Sequence, residues 1–99
     1  MLFAVTYTYA EDLSEEKQKR VVQVFTNWTP PAGFAIKSHY ELADGSGGAL
    51  MVEVTTPAAL HEATAAFTPF CHFRVVPVLD ITESVPIEMR VLAWRDSVR

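Results

Sequence analysis

The chain of 99 residues has a single cysteine, Cys71. No intramolecular disulfide can form, and a reducing compartment, the cytoplasm, is the expected setting. Basic residues are also scarce, with 8 Lys and Arg against 12 Asp and Glu and a net charge of -4. No basic run exceeds Lys19-Arg20, so neither a nucleic acid nor an anionic membrane is an expected partner. No apolar stretch approaches the roughly 20 residues of a membrane span. The run Leu2 to Tyr9 lacks a basic leader and alternates like a strand, unlike a signal peptide. Close metal-ligand spacings such as His-x-His or Cys-x-x-Cys do not occur. What is present is apolar: 49% hydrophobic and 11% aromatic residues argue for an ordered core. The length fits one domain, residues 1–99, burying about 60–65% of the unfolded chain's surface.

Leu2 to Tyr9 reads as the first strand. Asp12, with Glu15 three residues on, forms a capping box for a helix over 13–28, whose inner stripe is Val21, Val24, Phe25 and Trp28. Pro30-Pro31 stops it. A second strand, Phe34 to Leu42, leads into Asp44-Gly45-Ser46-Gly47-Gly48, which holds three of the chain's 4 glycines. A phosphate-binding loop would need a helix after it. The strand-like run Ala49 to Thr55 follows instead, which makes this a hairpin turn. Thr56-Pro57 opens a second helix with Leu60, Ala63 and Phe67 inward, ended by Pro69. Cys71 to Leu79 is a fourth strand, and Pro77 within it means that the strand lies at a sheet edge or breaks there. Ile87, Val91, Trp94 and Val98 recur at helical spacing and give a C-terminal helix over 85–98 with Trp94 buried.

The order β-α-β-β-α-β plus a tail helix is the ferredoxin-like plan of an α+β protein, with helices on one face of an antiparallel sheet. Polar residues alternate along three strands: Lys37, His39 and Glu41, then Glu53, then His72 and Arg74. Residues two apart share a face, so all six are expected on the open face, beside Met51, Val76 and Val78. A half-apolar open face on so small a domain needs a cover. A homodimer formed sheet to sheet is the expected arrangement.

Lys37-Ser38-His39-Tyr40-Glu41 with Ala43 to Gly48, Val52-Glu53, Val76-Pro77-Val78-Leu79-Asp80-Ile81 and Trp94-Arg95-Asp96-Ser97-Val98 resemble a small bacterial domain-of-unknown-function family of the DUF3303 type. The resemblance implies the dimeric α+β barrel superfamily, alongside cofactor-free monooxygenases of the antibiotic-biosynthesis type. Ligands in that superfamily sit between sheet and helices or within the barrel. The chain departs from the haem-degrading relatives, since Asn27 and Trp28 adjoin one another with no helical His near them.

His39 and Glu53 form the sharpest candidate site. A three-residue loop Gly45-Ser46-Gly47 would pair Asp44 with Gly48 and set His39 opposite Glu53, within about 4.5–5.5 Å between Cβ atoms. An even loop would strand Glu53 on the apolar face. A carboxylate that fixes a histidine's tautomer suits a general base, and the same two residues also read as a structural charge pair. With Arg74 stabilising negative charge, the catalytic candidates are His39, Glu53 and Arg74. Lys37, Glu41, Met51, His72 and Tyr7 are candidate ligand contacts, and Tyr9 and Tyr40 could also line a pocket. A facial triad of His39, Glu41 or Glu53, and His72 would need residues from distant strands, so no metal and no cofactor are expected. Cys71 reads as a buried, inert thiol. The third strand lacks the aromatics of an RNA-recognition module, which excludes that relative of the fold. The functional expectation is a small organic ligand in a polar-lined cavity, bound by a monooxygenase- or isomerase-like enzyme with His39 as base. The alternative is a non-catalytic binding or interaction module.

Overall fold

The computed structural model describes residues 1–99. Its order is β1 (Leu2–Tyr9), α1 (Glu15–Thr26), β2 (Phe34–Glu41), β3 (Gly47–Val54), α2 (Pro57–Ala65), β4 (Cys71–Pro77) and α3 (Ile81–Ser97). The four strands form one antiparallel sheet in the order β2-β3-β1-β4. That is the ferredoxin-like α+β plan expected from the sequence, with Pro77 at the end of an edge strand, where its missing N–H costs no ladder bond.

The core lies between one sheet face and the helices. Val5, Phe34, Val52, Val54, Ala59 and Ala63 form its buried centre, and Val52 is wholly shielded from water. Ala59 and Ala63, four apart on α2, allow that helix to approach β2 and β3 closely. Thr56 caps α2 by accepting from the Ala59 N–H, and Pro57 occupies its first turn. At α1 the cap is Ser14, which accepts from the Lys17 N–H at 3.2 Å, and not the expected Asp12. The helix ends at Thr26, so Trp28 packs from the connection that follows it.

Two departures in the β2–β3 hairpin change everything downstream of it. The turn is Ala43-Asp44-Gly45-Ser46, closed by the Leu42 N–H donating to the Gly47 carbonyl at 2.8 Å. Asp44 braces it by accepting from the backbone and hydroxyl of Ser46, and Gly45 takes a φ of 75°. This loop is even, with Glu41 opposite Gly48 and His39 opposite Leu50. Farther from the turn Ile36 lies opposite Val52 and Phe34 opposite Val54, because a β-bulge between Ile36 and Ser38 inserts Lys37 as one extra residue. The expected stranding of Glu53 is avoided by the bulge, not by the loop length.

The C-terminal helix also differs. Asp80 starts it by accepting from the Thr82 N–H at 2.8 Å and from the Thr82 hydroxyl, so α3 begins at Ile81 with Pro86 inside it. Trp94, expected to be buried, is 65% exposed, and no residue of α3 is buried. The helix stands off the body instead of covering it.

Because Val52 has no exposed surface, Val52→Ala should lower the unfolding free energy by on the order of 2 kcal/mol. Thr6→Ala on the open face should change it by less than about 0.5 kcal/mol. Urea unfolding of the two variants checks this, and equal effects would contradict the assigned faces.

Candidate functional site

The pairing registers fix which side chains face the helices. One cross-sheet row on that side runs Val75, Val5, Leu50, His39, and the next runs Phe73, Tyr7, Gly48, Glu41. Between these rows and α1 lies a pocket of about 380 Å³. Val5, Ile36, Leu50 and Phe73 floor it, while Phe25, Trp28 and Phe67 wall it from the helix side. Phe67 meets Trp28 edge-on at 5.1 Å and Phe25 at 6.2 Å between ring centroids. Such a wall offers both apolar area and the tilted ring contacts that aromatic groups prefer.

The polar groups gather at one end. The Tyr7 hydroxyl and His39 Nε2 are 2.8 Å apart, and Tyr9 donates its hydroxyl to Glu41 Oε1 at 2.7 Å. A neutral imidazole can accept the Tyr7 proton at Nε2 or, in the other tautomer, donate to the Tyr7 oxygen. The two tyrosine rings stand edge to face at 5.8 Å, and Phe25 flanks the His39 ring at the same separation.

Gly48 makes this arrangement possible. A Cβ there would lie 2.3 Å from the Tyr7 hydroxyl oxygen and 2.4 Å from the carbon bearing it. The bare backbone of β3 therefore lets the Tyr7 ring lie across the strand and reach His39 on β2. Sequence reasoning assigned Gly48 only to the turn. The signal that could have revealed it was its place between two apolar-facing strands, where glycine marks a close approach.

Burial tunes the titrating groups. It pushes the His39 pKa below its ordinary value, with the Glu41 charge pulling partly the other way, so the imidazole is held neutral. The Tyr7 phenol is raised by burial first and by the Glu41 charge second. Tyr9 is raised further, by burial and then by its bond to Glu41. The Cys71 thiol is raised by burial alone, which keeps it protonated and poorly nucleophilic. No Lys or Arg lines the pocket. An anionic ligand group would meet the Glu41 carboxylate without a compensating charge.

Of the expected site residues, His39, Glu41 and Tyr7 come together in this pocket, joined by Tyr9. Glu53, Arg74, His72 and Met51 do not. Register places Met51 in a row with Ala4 and Val76, Arg74 beside Thr6, and His72 beside Thr8, all on the opposite sheet face. Glu53 pairs across the strands with Ala35 and Leu2, and its Oε1 lies 2.5 Å from the Met1 nitrogen. The expected His39–Glu53 contact is thus absent. Its physical cause is the bulge, which turns His39 and Glu41 toward the helices while Glu53 stays on the open side. Lys37 is the bulged residue itself and is exposed. Nor do His39, Glu41, Glu53 and His72 converge, and no three His, Cys, Asp or Glu side chains form a metal-ligand set.

Residues 1–92 match the model of a family described as a domain of unknown function, DUF3303. No curated protein matches the chain.

Two outcomes test the polar end. Gly48→Ala should drive the Tyr7 hydroxyl off His39, shifting the His39 ring resonances while the strand amides away from β3 stay put. Unchanged ring resonances would contradict the close approach. The second outcome concerns pH. An unfolded His39 takes up its proton near pH 6.5, whereas the folded one does so only at lower pH. Below about pH 6.5 the unfolded state therefore holds more protons, and stability should fall as pH drops from 7.5 to 5.5. His39→Gln should flatten that part of the stability curve in denaturant unfolding, and an unchanged slope would contradict it.

Proposed function

The chain belongs to the DUF3303 family, which brings no activity with it, and from the pocket we propose that it binds a small, flat, mainly apolar organic molecule between the sheet and α1. The observation that carries this reading is the coincidence of an aromatic-walled pocket of about 380 Å³ with two hydrogen-bonded polar pairs at one end. Small-molecule sites combine apolar walls with a few convergent polar groups in this size range. The ligand is neutral or carries a donor group, because Glu41 and Tyr9 form an acceptor-rich end and no cation faces it.

The chemistry suited to this end is proton transfer. His39, kept neutral by burial, accepts a proton from an acidified C–H or O–H of the ligand, and the electron pair stays on the ligand atom. Tyr7 holds the imidazole in place, the part expected of Glu53. Return of the proton to a different atom is an isomerase-like reaction that needs no cofactor. A monooxygenase-like reaction would use the same first step with dioxygen as co-reactant. We extend the proposal to assembly in the cytoplasm as a homodimer in which each copy covers the other's open sheet face. In support, the row Val76, Ala4, Met51 leaves apolar side chains on that face.

A naphthol is a suitable first probe, flat and carrying one hydroxyl donor. Its addition should shift the amide and ring resonances of Tyr7, His39, Phe25 and Phe67, and Val21→Trp, which fills the pocket, should abolish those shifts. Shifts confined to the open face around Met51 and Arg74, or no shifts at all, would contradict the proposed site.

A further inference from the structure

Helix α3 presents an uncovered apolar surface that the rest of the chain does not explain. Ile81, Val85, Ile87, Met89, Val91, Leu92, Trp94 and Val98 are between 41% and 70% exposed. At roughly 150 Å² for a large side chain, each arm leaves on the order of 600 Å² of apolar surface in water. A standard stable interface buries about 800 Å² per partner. The helix is also a poor one on intrinsic grounds, with Pro86 inside it and β-branched Ile81, Thr82, Val85, Ile87 and Val91 along it. In proteins most helical stability comes from the packing of an apolar face and not from propensity. Something must cover it.

Its apolar residues fall on two sides. Ile81, Val85, Met89 and Leu92 share one stripe, while Ile87, Val91 and Trp94 share another about 140° around the axis. A helix laid on its own domain would need only one stripe. The radius of gyration is 17.8 Å, against about 13 Å for a compact chain of this length, and the longest extent is 60 Å. The helix therefore runs outward, and only Val78-Leu79-Asp80 separate it from β4, a short hinge of the kind that favours exchange between copies.

The same chain carries the matching vacancy. Its open sheet face has an apolar middle at Ala4, Ala49 and Met51 with Arg74 at its β4 edge, and neither Arg74 nor Glu83 and Glu88 of α3 has an ion-pair partner within the chain. Seventeen helical residues span about 25 Å, and eight-residue strands about 26 Å. We infer that α3 is an exchanged arm: in a two-fold dimer each copy's α3 lies on the other copy's open sheet face, one stripe against that sheet and the other against the partner's arm. A two-fold axis repeats the contact, so both vacancies close at once. This rests on the homodimer reading above and adds the element that makes the contact.

Hydrogen exchange with light scattering on the full chain separates the two claims. A mass of twice 11.0 kDa is expected at micromolar concentration, with the amides of residues 87–94 exchanging roughly tenfold or more slowly than in dilute solution, where dimers dissociate. Val91→Asp with Trp94→Asp should yield monomers whose β-strand amides remain protected. A dimer in which residues 87–94 exchange as an open helix does, at every concentration, overturns the exchanged arm and leaves the homodimer reading standing. A double variant that stays dimeric has the same meaning. A full chain that scatters as 11.0 kDa overturns both, and a species larger than a dimer overturns the closed two-fold exchange.

Discussion

One extra residue in β2 decides which side chains face the helices. Lys37, inserted opposite no partner, breaks the alternation between Ile36 and Ser38 and lets both ends of the strand satisfy the same sheet. Toward the start of β2, Phe34 and Ile36 lie over Val54 and Val52 in the core. Toward the turn, His39 and Glu41 occupy that same inner face over Leu50 and Gly48. A regular strand would have put Tyr40 inside and both ionisable groups in solvent. With the bulge, an apolar floor acquires a polar edge without breaking the ladder elsewhere. Bulges recur where a strand must re-aim a side chain in this way.

The rest of the pocket follows from that turn of the strand. His39 becomes reachable from β1, and Gly48 leaves the space through which Tyr7 crosses to it. Tyr9, two residues on and therefore on the same face, meets Glu41 by the same geometry. Burial then acts on a histidine whose partner is a phenol, and not a carboxylate, which favours the neutral imidazole. The aromatic wall of Phe25 on α1, with Trp28 and Phe67 from the segments just after α1 and α2, closes the other side.

Much of the fold was legible in the residues. The first strand, the Thr56-Pro57 helix start, a hairpin near Gly45 and the edge position of Pro77 all follow from local rules, whereas β3 takes in Gly47 and Gly48, which those rules assign to the turn. His39, Glu41 and Tyr7 stood out in the residues as candidates, but not the face on which the structure brings them together. Lys37 carries no local sign of a bulge, since no glycine or proline marks it, and Tyr40 is amphipathic enough to sit on either side. Parity along a strand is an all-or-none inference, and one unseen insertion reverses everything beyond it. The reading of α3 failed differently. Pro86 suggested a first helical turn, whereas the Asp80 cap sets the start five residues earlier. Its stripe of Ile87, Val91 and Trp94 was visible, yet no pattern within a chain says whether the surface it needs belongs to that chain.

The contact across β3 is the point at which bulge, glycine and pocket meet, and nuclear Overhauser contacts from the His39 ring protons report it directly. Contacts to the Tyr7 and Phe25 rings are expected, with none to Met51 or Thr6. Contacts from His39 to Met51, Thr6 or Glu53 would place the imidazole on the open face and contradict the bulged strand together with the site built on it.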